Sequence, residues 1–381
     1  MPILRKFASP PKISNKKIGG AVAGGPFLFS WGANGQGKLG QNDLVYRSSP
    51  TQVGTTNNWA QVSAGNTHSA SVKKNGEIYA WGNNNVGVLG LNDTNNRSSP
   101  TQIGSLTNWA QVTTGQNMSV AVKTDGTIWS WGYRLDNSGV LGLNDDVTRS
   151  SPTQIGGLAN WAQVKAGTQM CVAVKTDGTL WAWGTNLAGQ LGQNNTINRS
   201  SPVQVGGLTT WSQASAGGSI CAAIKTDGTL WTWGGNGSGQ LGLGDDANRS
   251  SPVQIGALTT WSKVSVGAGG GMVIKTDGTL WAWGVNTNGR LGLNDTTNRS
   301  SPVQVGSLTN WAQVSAGIGY FSTAIQSDGE IYAWGRNVEG QLGQGDVDNR
   351  SSPIQIGSLT NWQTLVNSIS AGSGHCVAIQ N

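Results

Sequence analysis

The chain has 381 residues, with 58 Gly and 18 Trp, and only 11% of it is charged. So much aromatic area in a low-charge chain points to a packed, loop-rich all-β protein rather than to disorder, and no run approaches the roughly 18 apolar residues of a membrane-crossing helix. The formal net charge of +6 is misleading: five of the 24 basic residues precede position 26, leaving 19 against 18 acids, so a basic groove for nucleic acid is not expected.

Residues 1–25 carry those five basic residues (Arg5, Lys6, Lys12, Lys16 and Lys17) and no acid. They lack the continuous apolar segment of a secretion signal and read as a flexible basic arm, a candidate tether to a larger assembly. Residues 26–381 read as one domain built of repeats. Trp-Gly recurs at Trp31, Trp81, Trp131, Trp183, Trp233, Trp283 and Trp334, at intervals of 50, 50, 52, 50, 50 and 51 residues. A period near 50 made of short alternating strands is one blade of a β-propeller, and seven copies make a closed ring.

Residues 261–310 show one unit clearly. "WSKVSVG" alternates as a first strand, "GMVIKTDG" is a second, "TLWAWG" a third, and "SPVQVG" a fourth that opens at Pro302 after Arg299-Ser300-Ser301. Asp277-Gly278 between two alternating runs predicts a type I′ hairpin, in which both central residues take positive φ. The Lys and Asp beside each such turn (Lys123/Asp125, Lys175/Asp177, Lys225/Asp227, Lys275/Asp277) read as a solvated rim of mixed sign. The repeated Arg of Arg-Ser-Ser-Pro is expected to bond to the Asn/Asp-rich loop before it. Cys171, Cys221 and Cys376 share one repeat position on an apolar strand and read as buried free thiols rather than a disulfide framework.

The two ends complete one another. The chain starts with only a third strand, "FLFSWG" at 27–32, and finishes with a first and second, "NSISAGSGHCVAIQ" at 367–380. These fragments are expected to pair in one shared four-stranded antiparallel blade, which removes the exposed edges of an open array.

The copies of Gly-x-x-His-Ser, the Asp-Gly turn, Trp-Gly-x-Asn-x-x-Gly-x-Leu-Gly ("WGANGQGKLG" at 31–40, "WGTNLAGQLG" at 183–192) and the Pro-led strand resemble the regulator of chromosome condensation family of seven-bladed propellers. The likeness covers residues 27–381. It implies the propeller fold and several possible roles: exchange factor for a small GTPase, plant ultraviolet photoreceptor, or secreted bacterial inhibitor of β-lactamases. The chain departs from the first two, having neither a wedge insertion nor the Gly-Trp-x-His-Thr cluster. Its low charge and abundant Asn, Thr and Gly resemble bacterial and phage members, which favours a virion-associated or bacterial-surface location.

Function is then sought where the copies differ. The loops after Ala-Gly and after Trp-Gly vary most, and antiparallel strand order places both on one face of the disc, with the Asp-Gly turns on the other. Variable loops on a uniform scaffold are where repeat proteins bind. The candidates are Tyr133, Arg134 and Leu135 in the loop lengthened by two, Tyr320 in a loop lengthened by one, and Met170 and Arg336, since Tyr and Arg are the usual anchors of recognition. The expected role is a non-enzymatic binding or scaffold propeller that recognises a protein or glycan, with a small-GTPase regulator as the alternative. No catalytic constellation, cofactor motif or metal-ligand spacing is read from the chain.

Overall fold

The computed structural model describes residues 25–133, 138–145 and 147–381. It is a seven-bladed all-β propeller of four-stranded antiparallel sheets, six of them running in chain order from an inner to an outer strand. The first blade comprises Trp59–Ala64, His68–Lys73, Ile78–Gly82 and Arg97–Gln102. The second to sixth repeat this plan and begin at Trp109, Trp161, Trp211, Trp261 and Trp311. The seventh is shared between the chain ends. Phe27–Gly32 pairs with His375–Gln380 on one side and Arg47–Gln52 on the other, and Ile369–Ala371 completes the sheet. Its inner strand has only three residues, because the segment from Trp362 to Ser368 leaves the regular register and Trp362 keeps a single bridge to Gln380.

The repeat motif is the ring's bonding scheme. The Trp of each Trp-Gly is fully buried. In six copies its indole N–H donates to a loop carbonyl of the preceding blade, as Trp81 does to Lys38, Trp131 to Val88 and Trp334 to Arg290, each at 2.9 Å. Two belts join the inner strands. Gln61 holds the backbone N–H and C=O of Val112 in the next blade, and Gln111 does the same to Val164. One turn further on, Ser63 accepts from Thr114 N–H and Ser370 from Ala64 N–H. A blade thus bonds its neighbour as a strand bonds a strand, which a 50-residue unit needs because it cannot bury both faces alone.

The expected hairpins form with a different geometry. At Asp125-Gly126 only Gly126 has positive φ (+77°), Gly126 N–H bonds Lys123 C=O at 2.9 Å, and Lys123 N–H bonds Thr127 C=O at 2.9 Å. This is a type I turn closed by a glycine bulge, not type I′. Asp is retained for its side chain: Asp125 Oδ1 accepts from both the N–H and the hydroxyl of Thr127, and Thr127 Oγ1 accepts from Trp129 Nε1. The relay recurs at Asp177, Asp227 and Asp277. The outer strand also begins earlier than expected, at Arg rather than at Pro. Pro302 lies inside an edge strand, beside a shift in register, where no partner needs its missing N–H.

The lysines beside these turns are not a solvated rim. Lys123 Nζ lies 3.8 Å from the centre of the Trp129 ring and 4.8 Å from that of Trp109, and Lys175, Lys225 and Lys275 repeat this cage. The ammonium is held by two ring faces while the stem packs along them. Among the described residues no helix is long and apolar enough to cross a membrane.

Candidate binding face

The loops after the first and third strands meet on one face and bond to each other within a blade: Asn83 N–H donates to Thr67 C=O and Tyr133 N–H to Asn117 C=O. The long loop after Trp-Gly is rigid by construction. Asn84 Oδ1 accepts from Leu89 N–H while its amide donates to Asp93, and Asn186, Asn236, Asn286 and Asn337 act alike. The Arg of Arg-Ser-Ser-Pro then closes on the loop as expected. Arg47 pairs with Asp43 at 2.5 Å, Arg97 with Asp93 at 2.6 Å and Arg350 with Asp346 at 2.6 Å. These pairs order the loops, and their half-exposed setting limits each to about 1 kcal/mol or less.

The proposed contact residues fall apart into separate places. Tyr320 and Arg336 come together in the sixth blade, where Tyr320 C=O accepts from Arg336 N–H at 3.0 Å. Tyr133 is half-buried in the second blade, across the ring. Arg134 and Leu135 lie outside the described residues. Met170 is fully buried, its sulfur 3.7 Å from Cys221 Sγ, so it presents no surface to a ligand. Its variability has a packing cause. In successive blades this contact is made by His375 with Ser69, His68 with Ser119, Met118 with Cys171, and Met170 with Cys221. The pairs change together, which also accounts for two of the three buried free thiols, Cys171 and Cys221.

Tyr320 is the strongest of the candidates. It is 45% exposed and its φ is +66°, a left-handed backbone that a bulky residue takes only when the surroundings enforce it. The extra residue in its loop is Tyr320 itself, and Phe321 takes the buried slot that Met170 fills elsewhere. Beneath the ring lies Arg290, with its guanidinium 4.7 Å from the ring centre. Sequence reasoning missed Arg290. It occupies the position before Leu in the Trp-Gly motif, where the other copies have Lys38, Val88, Val140, Gln190, Gln240 and Gln341, so comparing that one column shows it.

Arg290 is buried, donates from Nε to Val285 C=O at 2.7 Å, and leaves Nη1 with no protein partner. Burial lowers its pKa to about 10, against the opposing effect of Tyr320. Gly269 makes room for it, since a Cβ there would lie 2.1 Å from Arg290 Nη2. Arg336 pairs with Glu339 at 3.2 Å. Lys38, in the seventh blade, is drawn down to about 8 by burial although Glu339 favours its charge. Arg290, Tyr320, Arg336, Glu339 and Lys38 thus form a charged and aromatic strip across the fifth, sixth and seventh blades.

The opposite face has its own repeated feature. Leu106, Leu158, Leu208, Leu258, Leu308 and Leu359 are each about half exposed, one per turn between blades. Among the described residues no group of three His, Cys, Asp or Glu is placed to hold a metal ion.

The fold has well-matched solved counterparts. Prp20p from Saccharomyces cerevisiae, whose binding properties to Gsp1p and histones were described with its structure, superimposes with a TM-score of 0.82 at 20% identity, covering 94% of this chain and 92% of that one. Human WBSCR16 superimposes with a TM-score of 0.81 at 18% identity, covering 93% and 99%. The model of the RCC1-like domain matches residues 27–378, and the chain therefore belongs to the RCC1-like domain family.

Proposed function

We propose that this protein is a non-catalytic binding or scaffold propeller whose recognition surface is the variable-loop face, centred on Tyr320, Arg336 and Arg290. The observation that carries the reading is the contrast within the repeat. The common positions are committed to bonds that hold blades and loops together, whereas Tyr320 leaves the repeat pattern, takes a left-handed backbone and remains exposed over a buried cation. Tyr and Arg at the centre of a rigid face suit a protein partner, and glycan recognition is the variant in which the aromatic ring stacks on a sugar. Tyr133, with Arg134 and Leu135 after it in the sequence, is the second proposed contact point. Residues 1–25 act as a tether, and the low-charge, Asn- and Thr-rich surface fits an appendage of a virion or bacterial surface.

The test is affinity capture with the full chain beside a variant carrying Tyr320→Ala and Arg336→Ala. A partner held by wild type and lost by the variant supports the reading; equal retention by both refutes it. The second reading, a regulator of a small GTPase, is favoured by family membership and by likeness to Prp20p, described as binding Gsp1p. Accelerated nucleotide release from a candidate GTPase would select it.

A further inference from the structure

The inner strands enclose a central channel lined by all seven blades. At one register six of them place a hydroxyl toward it: Ser63, Thr113, Ser215, Ser265, Ser315 and Ser370. Every one of these oxygens accepts a backbone N–H of the next blade, at 2.9–3.1 Å. Each hydroxyl that accepts one such bond keeps its proton and a second lone pair; Ser63 Oγ also bonds Thr114 Oγ1 at 2.9 Å, and the ring as a whole can donate to a ligand in the channel.

The seventh member of the register is Lys165. Its ammonium reaches across the channel to Asn367 Oδ1 at 2.5 Å, a neutral partner on the far side of the ring. Lys165 therefore divides the channel, leaving a space of about 90 Å3 toward the variable-loop face and another of about 80 Å3 toward the opposite face. The second space holds Lys263, which donates to Ala312 C=O. Among the described residues that line the two spaces there is no carboxylate. Burial lowers Lys165 to about 8, so the ammonium form still dominates at neutral pH. A buried charge without a counter-charge is costly, and the partner of this one is a neutral amide oxygen. The space above it has room for a ligand of a few heavy atoms.

We propose that this space binds one small inorganic oxyanion of the phosphate or sulfate class, held by Lys165 and the hydroxyl ring. The proposal is independent of the loop-face reading, because none of Tyr320, Arg336 or Arg290 lines the space.

The experiment titrates inorganic phosphate and sulfate into the full chain, against chloride at matched ionic strength, by calorimetry and thermal unfolding. Wild type is expected to bind one anion per chain saturably, with a rise in melting temperature. Lys165→Ser should lose at least tenfold in affinity while folding normally, since Ser fills this register in five other blades. Lys165→Thr, on the pattern of Thr113, is the second variant should the first fail to fold. Lys263→Gln, on the pattern of Gln213 and Gln313, should change affinity less than threefold. Unchanged affinity in Lys165→Ser, as binding by the basic residues 1–24 would give, overturns the proposal. So does a wild-type response no greater than that to chloride.

Discussion

His68 makes the stability of the ring depend on pH in a way that can be isolated. It is fully buried, with Nε2 2.9 Å from Ser119 Oγ. The hydroxyl of Ser119 donates its one proton to Val88 C=O at 2.9 Å, so His68 Nε2 carries hydrogen and donates to Ser119. Burial lowers the imidazole to about 4, against a raising effect from the Met118 backbone. Above pH 6.5 both the folded and the unfolded chain hold a neutral His68, and its contribution does not vary. Below 6.5 the unfolded chain takes up a proton that the folded chain refuses until about pH 4, so stability falls as pH falls through that window. At about 1.36 kcal/mol per unit, and with the slope reduced near each pKa, the loss between pH 6.5 and 4.5 is about 2 kcal/mol. The perturbation is the double substitution His68→Met, Ser119→Cys, which installs the pair that Met118 and Cys171 already form one blade on. Carboxylates titrate equally in both proteins and cancel in the comparison. Denaturant unfolding at pH 7 and pH 4.5 should show wild type losing about 2 kcal/mol more than the variant. Parallel losses would show that His68 is protonated in the folded ring and that the argument from burial fails.

Three further outcomes are expected. Truncation before Ile369 removes the strand paired with Phe27–Gly32 on its inner side and the inner strand beyond it, so the whole ring should lose its cooperative unfolding transition; an unchanged melting temperature would contradict the shared blade. Lys123→Gln copies Gln326 and Gln380, which stand at this place in the sixth and seventh blades, and should cost about 1 kcal/mol by denaturant unfolding, the worth of a partly exposed cation–π cage. Tyr320→Gly should leave stability within about 1 kcal/mol, because relief of the left-handed backbone offsets the lost stacking on Arg290, yet it should abolish capture of a variable-face partner.

The ring was legible because its information is repeated. Seven Trp-Gly pairs and the two broken repeats at the chain ends predict the blade number and its closure, and both are present. What was not legible lies in contacts between copies. Asp-Gly signals a hairpin, but the choice between type I′ and a bulged type I turn depends on Asp125 bonding Thr127 and through it Trp129, a relay with no periodic signature. Lysine beside aspartate looks solvated in a linear reading, whereas the aromatic pair that cages Lys123 comes from residues 14 positions before it and six after. Met170 was misplaced for the same reason: its variation tracks Cys221 in the next blade, not a ligand.

Arg290, Tyr320 and Lys165 share a property that separates them from drift in solvated loops. Drift is cheap where a side chain faces water and costs little at any substitution. These three sites are costly by construction. Arg290 needs a glycine at 269 to leave room for its guanidinium. Tyr320 holds a backbone conformation that its own side chain disfavours. Lys165 places an ammonium where six other blades place a hydroxyl that helps hold the ring. In a ring whose copies otherwise repeat one bonding scheme, departures that work against local stability mark where the symmetric scaffold is put to use. All three concern one side of the disc: Arg290 and Tyr320 stand among its loops, and the space above Lys165 opens toward it. On the proposed reading, recognition is directed to the variable-loop face, while the opposite face carries the regular turns, the caged lysines and the exposed leucines of the repeat itself.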